Sequence, residues 1–599
     1  MSRCPAAIAA FFVLSLAALL TPAGALAVSA SPSPGSDVIT YKIGINQDYD
    51  GMNPFSSWSG ISWECFRLGY DFLTWYDKDY QPTPDVASSW ETSSDGKTWT
   101  FHIRQGMTWQ DGRPLTADDV AFTYNLIIKT QDASYIQYLT GVTKVTATDD
   151  TTLVIQTGAP NACMLALYIP ILPEHVWKKA DPNNLGSFRN WPFVGSGPFQ
   201  VTELKKSKWV KLEANKQYPQ ELGGAPTLDE VYYVISQNTD SMIEDYRAGN
   251  VDAVVDFPAA YEKVLGGTPG TTAVASPAIG FHELAFNCWS SNKSKGNPLL
   301  RDAAIRQAVH WAIDKKSINA TSMAGLAVPG TSLISPVQGI WHWEVPEADQ
   351  YTYDPEKAKQ ILEDAGYTDS DGDSIRENAK GKKLDFRFVA LNEYPEDQAA
   401  AKMIVSWCDD IGIKLRLDQK DEGAFGDEVY DNANYDMFIW SWGGDIDPGF
   451  MLSTFTTKQI LNWGDSQYSN PEYDKLYVEQ AEAIDLADPT DPTKRKAVTD
   501  KMQKILYRDN PYIILWYNVN LQAFRADTWS GYRQIPAAGG APFWNYLRAT
   551  YIDLKPEKIA AAEKGGTPAW VYVVVALVVV VVIVGFVWFR RRPRAVESA

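Results

Sequence analysis

Histidine and cysteine are scarce in this chain of 599 residues, with five of each. His102, His175, His282, His310 and His342 fall at no metal-ligand spacing, and the cysteines match no zinc pattern. A Walker A loop, a G-x-S-x-G elbow and an HExxH helix are all missing, so the usual signatures of phosphate-binding loops, α/β-hydrolases and zinc proteases are absent. Internal repeats and low-complexity tracts are also lacking, which argues against a repetitive surface-layer protein. Positive charge is in deficit, with 54 Lys+Arg against 73 Asp+Glu. Such a surface repels nucleic acid and anionic membrane, so no nucleic-acid partner is expected.

Long hydrophobic runs occur only at the two ends. Residues 1–27 carry Arg3, an apolar stretch through Leu20 and small residues at Ala23-Gly24-Ala25 and Ala25-Leu26-Ala27, the layout of a secretory signal peptide. Cys4 precedes the apolar core, so no lipid-attachment motif is present. At the other end, 569–589 reads as a transmembrane helix. The twenty residues from Trp570 to Phe589 carry no charge and, as a helix, span roughly 30 Å. Trp570, Tyr572 and Trp588 suit the two interfaces, and Arg590-Arg591-Arg592 with Arg594 marks 590–599 as a cytoplasmic tail. The expected localisation is the cell membrane, single-pass, with the N-terminal ectodomain outside. Setting aside Arg3, the four tail arginines and Glu597 leaves 49 basic against 72 acidic residues there, a net charge of −23. Cys65, Cys163, Cys288 and Cys408 face an oxidising compartment, and three disulfide connectivities are open to them. Sequons stand at Asn292-Lys293-Ser294 and Asn319-Ala320-Thr321.

Pro84 to Tyr124, PDVASSWETSSDGKTWTFHIRQGMTWQDGRPLTADDVAFTY, is the most informative internal stretch. Ser94-Asp95-Gly96-Lys97 predicts a tight turn, and Trp99, Phe101 and Ile103 alternate with polar residues as in a half-buried strand. Thr116 suits a helix N-cap, with Asp119 as its capping-box partner. In order and spacing these features resemble the signature of extracytoplasmic solute-binding proteins, family 5 (peptide-binding type), of ABC importers. Val194-Gly195-Ser196-Gly197-Pro198-Phe199 is similar to that family's GTGPY element. Asn297 to Lys316 resembles its DVRVRQAI-YAID helix, with Ile305, Ala308, Val309, Ala312 and Ile313 on one stripe. Tyr468 to Leu476 and Gly443 to Pro448 match as well, so the resemblance spans about residues 40–550. The signal peptide with a C-terminal span is similar to archaeal members.

Some 530 residues exceed one hydrophobic core. Helices are expected at 354–365 and 398–410, and strands at 384–391, 412–416 and 435–442, an α/β alternation with parallel elements. The resemblance implies a bilobal hinged trap of the periplasmic-binding-protein type II kind with an extra lobe. Mapped here, 28–37 is a flexible lead-in. Lobe I comprises 38–78, 191–280 and 513–555, lobe II is 79–190, and lobe III is 281–512, with a stalk at 556–568. The ligand would lie between lobes I and III.

The candidate ligand site is Trp442-Gly443-Gly444-Asp445-Ile446-Asp447-Pro448. Glycines at a strand end let a ligand approach the backbone. In peptide-binding family members a carboxylate here pairs with the ligand's α-ammonium, a role the resemblance gives to Asp445 or, next, Asp447. The segment is one residue shorter than the dipeptide-binding version of the motif. Trp440 and Trp442 share a strand face, as cleft walls or as core. Asp369, Asp371 and Asp373 alternate like calcium ligands, but Ser374 stands where an EF-hand has glycine and no Glu stands at position 12. The stretch reads as a solvated acidic turn or as a surface calcium site. No cofactor is expected. The expected partners are a small-molecule ligand, foremost a peptide, and ABC permease subunits with cytoplasmic ATPases. Oligosaccharide binding is the alternative within the family, because tryptophan faces stack on sugars. A surface carbohydrate hydrolase is the alternative outside it, and would need two carboxylates about 5–10 Å apart.

Overall fold

The structure, a computed structural model, describes residues 38–392, 394–535 and 539–557. The expected signal peptide, lead-in, membrane span and tail lie outside the described residues. Among the described residues no helix is long and apolar enough to cross a membrane. Of the expected stalk only Pro556 and Glu557 are described, and strand Lys555–Pro556 pairs with Trp529–Ser530.

The alternation of Trp99, Phe101 and Ile103 with polar neighbours produces the strand Thr98–Ile103, with those three side chains buried. The turn at Gly96 (φ +67°) joins it to Ala87–Thr92. Strands Thr152–Thr157 and Val142–Asp149 complete a four-stranded antiparallel sheet. Helix Ala117–Thr130 packs on it and starts in the expected capping box, where the Asp119 carboxylate accepts the Thr116 N–H at 3.1 Å.

A second, eleven-stranded sheet runs through the rest of the chain. Its order is Lys414–Lys420, Asp385–Leu391, Met437–Trp442, Thr271–Phe286, Tyr512–Arg525, Ala253–Val255, Thr40–Ile45, Glu230–Ile235, Trp209–Ala214, Phe199–Lys205. Val328–Pro329 pairs with Tyr512–Arg525 off this path. The sheet is mixed: Asp385–Leu391 runs parallel to both its neighbours, as does Thr40–Ile45. Its two longest strands, of 16 and 14 residues, pair antiparallel at the centre and join the outer groups of strands.

Local signals set most of the helix boundaries. Asp354 caps Pro355–Asp364 by accepting the Lys357 N–H at 2.9 Å. The helix expected from Gln398 begins earlier, at Pro395, because a proline in the first turn forfeits no helical hydrogen bond. The strand expected at 412–416 lies at Lys414–Lys420, since Gly412 (φ +82°) is still in the turn. Asn297 to Lys316 is not one helix. Asp302 and Asp314 accept the N–H groups of Ala304 (2.9 Å) and Lys316 (3.1 Å), starting helices Ala303–Ala312 and Lys315–Ser322 afresh.

The GTGPY-like element owes its glycines to packing. A Cβ on Gly195 would lie 1.9 Å from the Gly69 carbonyl oxygen, and one on Gly197 2.4 Å from that of Leu68. Close by, Arg548 is buried and ties the C-terminal segment to the first one. It pairs with Asp71 at 2.8 Å and Asp85 at 3.3 Å, and donates to the carbonyls of Arg67 and Tyr70. Cys65, Cys163, Cys288 and Cys408 are all unpaired thiols, and Cys65 and Cys408 sit in different hydrophobic cores. The Asn319 side chain is engaged at both ends with the Ala327 backbone, at 2.8 and 3.1 Å. Asn292 is exposed.

Candidate functional site

The strand Met437–Trp442 runs between Asp385–Leu391 and Thr271–Phe286, and the chain leaves the sheet at Gly443. Its end is packed closely. Gly280, at φ +108°, lies so near that a Cβ there would sit 2.2 Å from the Trp442 carbonyl oxygen. The departing backbone is held by three distant side chains. Asn518 donates to the Trp442 carbonyl (3.0 Å), Gln338 to those of Asp445 (3.0 Å) and Ile446 (3.3 Å), and the Tyr546 hydroxyl to that of Gly444.

The two candidate carboxylates have different partners. Both oxygens of Asp447 are taken by the guanidinium of buried Arg495, one of them at 2.7 Å, and one also accepts the Gly449 N–H at 2.8 Å. Arg495 is braced in turn by Gln480 at 2.7 Å and by the ring of Trp341. Asp445 is half-buried and accepts a hydrogen bond from the Tyr138 hydroxyl. Among the described residues, no basic nitrogen lies within 4.0 Å of its carboxylate. Burial pushes its carboxyl up to about 7, against the lowering effect of the Tyr138 hydrogen bond and of the Arg67 charge, while the nearby charge of Asp447 adds to the rise.

An aromatic wall faces this point. Tyr168 stacks on Trp63 at 5.6 Å and on Phe72 at 5.2 Å, and meets Tyr546 at 6.3 Å. Arg67 lies 4.6 Å over the Tyr546 ring, donates to the Tyr168 hydroxyl (2.6 Å) and pairs with Glu64 (2.8 Å). Tyr138 stacks on Phe450 at 6.1 Å. The cavity beside Asp447, lined by Tyr138, Phe450, Cys163 and Tyr477, measures about 30 Å³. A larger cleft of about 510 Å³ opens at Tyr49, Asn53, Phe188 and Asn190. There the Asn53 and Asn190 amide nitrogens hold the Leu185 and Met52 carbonyls, at 2.8 and 2.6 Å.

Trp440 and Trp442 do share one face, and both rings pack into an aromatic core. Trp440 stacks on Phe425 at 5.1 Å, while Trp442 meets Phe450 and Trp463 and donates to the Tyr512 hydroxyl at 3.2 Å. Gly443 is exposed, with nothing within 4 Å of a Cβ placed on it. No motif or spacing pointed to Tyr138, Tyr546, Gln338 or Asn518, which stand 307, 102, 107 and 76 residues from their partners. Equally unsignalled is Glu283, which opposes Trp440 in the sheet, is fully buried and has no partner for either carboxylate oxygen. Burial holds that carboxyl well above the ordinary range. Asp369, Asp371 and Asp373 lie elsewhere, in the exposed turn between helix Pro355–Asp364 and strand Asp385–Leu391, with carboxylate oxygens within 4.8 Å of one another.

Comparison with known proteins places this geometry. Residues 81–463 match the model of the bacterial extracellular solute-binding proteins, family 5. The chain is 26% identical over 522 residues to the oligopeptide-binding protein AppA of Bacillus subtilis, covering 84% of this chain and 90% of that one. It is 24% identical over 507 residues to a glutathione-binding protein, GsiB, of Salmonella typhi, covering 82% and 91%. Among solved structures, AppA of Bacillus subtilis in complex with a nonapeptide superposes with a TM-score of 0.73 at 23% identity, covering 87% of this chain and 99% of that one. A mannohexaose-bound oligopeptide-type binding protein of Thermotoga maritima gives 0.72 at 22%, with the same coverage. The family match takes in the Asp445 segment, its strand, the Tyr138 loop and the four-stranded sheet, and on that extent the chain belongs to the bacterial extracellular solute-binding proteins, family 5.

Proposed function

We propose that this protein is the receptor of an ABC importer, capturing di- or oligopeptides outside the cell and delivering them to permease subunits driven by cytoplasmic ATPases. Asp445 carries the reading. It is a carboxyl group pushed up to about 7 by burial, with a tyrosine beside it and, among the described residues, no ion-pair partner within 4.0 Å, Arg67 acting on it only from further away. A peptide's α-ammonium supplies the missing cation, and a charge-assisted bond in a dry site is stronger than one in water. Asp447 is already neutralised by Arg495, so the pair of free carboxylates that a glycoside hydrolase requires is not available in this segment. The oligopeptide-binding relatives support the ligand class, and no covalent step is required.

In this reading the segments 38–78, 191–280 and 513–555 form one lobe, 79–190 a second and 281–512 a third, with the two long central strands as the hinge. The space of about 30 Å³ between Tyr138 and Asp447 holds little more than a water, so a peptide enters only if the segments on its two sides part. The contacts to be broken include the Tyr138–Phe450 stack, the packing of Ile484 against the core of the 79–190 segment and a few hydrogen bonds. Besides Tyr138 to Asp445, the hydrogen bonds among them are Trp463 Nε1 to the Ala133 carbonyl (3.0 Å), Ala162 N–H to the Ala481 carbonyl (2.7 Å) and Tyr546 to Gly444. Binding then selects the closed form, which docks on the permease. The chain reaches the membrane through a helix at 569–589, with the signal peptide removed.

The aromatic wall of Trp63, Tyr168 and Tyr546 favours a second ligand class, an oligosaccharide stacked on ring faces. The test is a mass spectrum of ligand released from natively purified protein, followed by titration with peptides of two to nine residues and with mannohexaose. Saturable one-to-one peptide binding without product formation is expected. Binding of mannohexaose alone would move the assignment to sugars, and steady turnover would end the receptor reading.

A further inference from the structure

Three arginines surround the candidate site, and they differ in the donors they leave unused. Every guanidinium nitrogen of Arg495 is engaged, two by Asp447 and one by Gln480. Every nitrogen of Arg548 is engaged as well, by Asp71, Asp85, Tyr218 and the carbonyls of Arg67 and Tyr70. Arg67 is different. Its Nε donates to the Tyr168 hydroxyl at 2.6 Å and its Nη1 to Glu64 at 2.8 Å, whereas Nη2 has no hydrogen-bond partner among the described residues. The side chain keeps 16% of its surface exposed, and Nη2 is not one of the polar atoms sealed away without a partner.

The guanidinium is held in place before any ligand arrives. Glu64 and Arg67 lie three apart on helix Gly60–Gly69, a spacing that puts them on one face. Glu64 is buried, and its other oxygen accepts the Tyr551 hydroxyl at 2.7 Å. The route from this base to Asp445 runs through a single ring. The guanidinium lies 4.6 Å from the centre of the Tyr546 ring, whose hydroxyl donates to the carbonyl of Gly444, the residue before Asp445. One ring contact, one phenol ring and one residue of chain make a path on the order of 10 Å. The Arg67 charge reaches Asp445, where it opposes the larger rise that burial imposes on the carboxyl.

We infer that Arg67 receives the C-terminal carboxylate of a peptide whose α-ammonium Asp445 holds, so that the preferred ligands are peptides of two or three residues with both ends free. This inference rests on the peptide-receptor reading above. An extended chain covers at most about 3.3–3.6 Å per residue, so two or three residues bridge the acid and the base, and a long extended peptide overshoots one of them. A guanidinium with an unused edge is suited to a carboxylate, and the bond is charge-assisted in a site shielded from water. An acidic side chain inside a longer peptide carries the same carboxylate, and the test separates that source from the C terminus.

Calorimetric titration of the full-length protein tests it, with trialanine, trialanine amide, a neutral nonapeptide and the same nonapeptide carrying aspartate at its third position. The amide is expected to bind about 10- to 100-fold more weakly than the free acid, the range of a hydrogen bond to a charged group. Both nonapeptides should bind at least tenfold more weakly than trialanine, on the same scale. In Arg67→Met the affinity for trialanine should fall to that for its amide, while the amide itself is bound as before. Arg67→Lys, which keeps the charge but not the fork, should retain part of the discrimination. The comparison of acid with amide on the natural protein needs no variant and stands even if Arg67→Met fails to fold. Equal binding of acid and amide, or an amide effect that persists in Arg67→Met, would overturn the role of Arg67 and leave the peptide-receptor reading intact. Recovery of full affinity by the aspartate nonapeptide would assign Arg67 to side chains and overturn the preference for short peptides. Binding of none of the four peptides would end the receptor reading for peptides, and this inference with it.

Discussion

At Asp445, burial holds the carboxyl's proton up to about pH 7, whereas an ammonium ligand requires the carboxylate. If Asp445 holds the ammonium, binding of a peptide must therefore expel a proton wherever the free protein still carries one. Between about pH 5 and 7, titrations in buffers of different ionisation heat should show net proton release. Affinity should rise with pH across that window and level off above it, until the peptide's own ammonium loses its proton near pH 8. Asp445→Asn should abolish the dependence. A flat profile, or proton uptake, would remove Asp445 from the role. The resemblance ranked Asp445 ahead of Asp447, but the physical difference between the two was not legible in the sequence. The motif placed both at the strand end, but the discriminating partner, Arg495, lies 48 residues further on, in a helix brought back by the fold.

Among the elements, the central strand pair sets the geometry of the site. Gly280 lets the strand Thr271–Phe286 pass against the Trp442 carbonyl at a distance no side chain allows, in a conformation that disfavours L residues. Gly280→Ala is expected to cost about 2–4 kcal/mol, combining overpacking with backbone strain. It should also weaken ligand binding more than Gly106→Ala, an open positive-φ position where only the strain applies. Chemical denaturation and ligand titration of both variants check this, and equal effects would deny the close approach its importance. Sequence patterns located elements where the signals are local: the turn at Gly96, the capping box of Thr116 and Asp119, and the helix capped by Asp354. They failed where the determinant is packing. The GSGPF glycines are explained only by the Leu68 and Gly69 carbonyls lying against them, whereas the division of the 297–316 stretch rests on two local aspartate caps, Asp302 and Asp314, that the apolar stripe across it masked.

For the whole molecule, the family and the α/β layering were evident from motif order, but the partners of the buried charges were not. Asp445 is raised to about 7, Asp465 to about 8, and Glu283 well above its ordinary value, in each case chiefly by burial. Such groups bind protons more tightly folded than unfolded, so between about pH 4 and 8 the folded state holds the extra protons and stability falls as pH rises. Exposed carboxyls held low by hydrogen bonds, such as Asp95 and Asp149, act in the opposite sense below about pH 4. The melting temperature should therefore peak on the acid side, near about pH 5, and decline toward pH 8. Asp465→Asn should flatten the decline, because Tyr512 can still donate to the amide oxygen. A melting temperature that rises steadily from pH 5 to 8 would contradict the buried-acid account.

The claim on which the functional reading turns is that Asp445 grips the ammonium of a peptide. The direct measurement is a four-way calorimetric titration, of natural protein and Asp445→Ala with a peptide and with its N-acetylated form. Each single change should cost about 2–5 kcal/mol, because it leaves the other charge buried and unpaired. That is a loss of roughly 30- to 3,000-fold in affinity. The two changes together should cost no more than either alone, since both remove the same interaction. Fully additive losses would show that Asp445 and the ammonium do not meet, and would contradict the account.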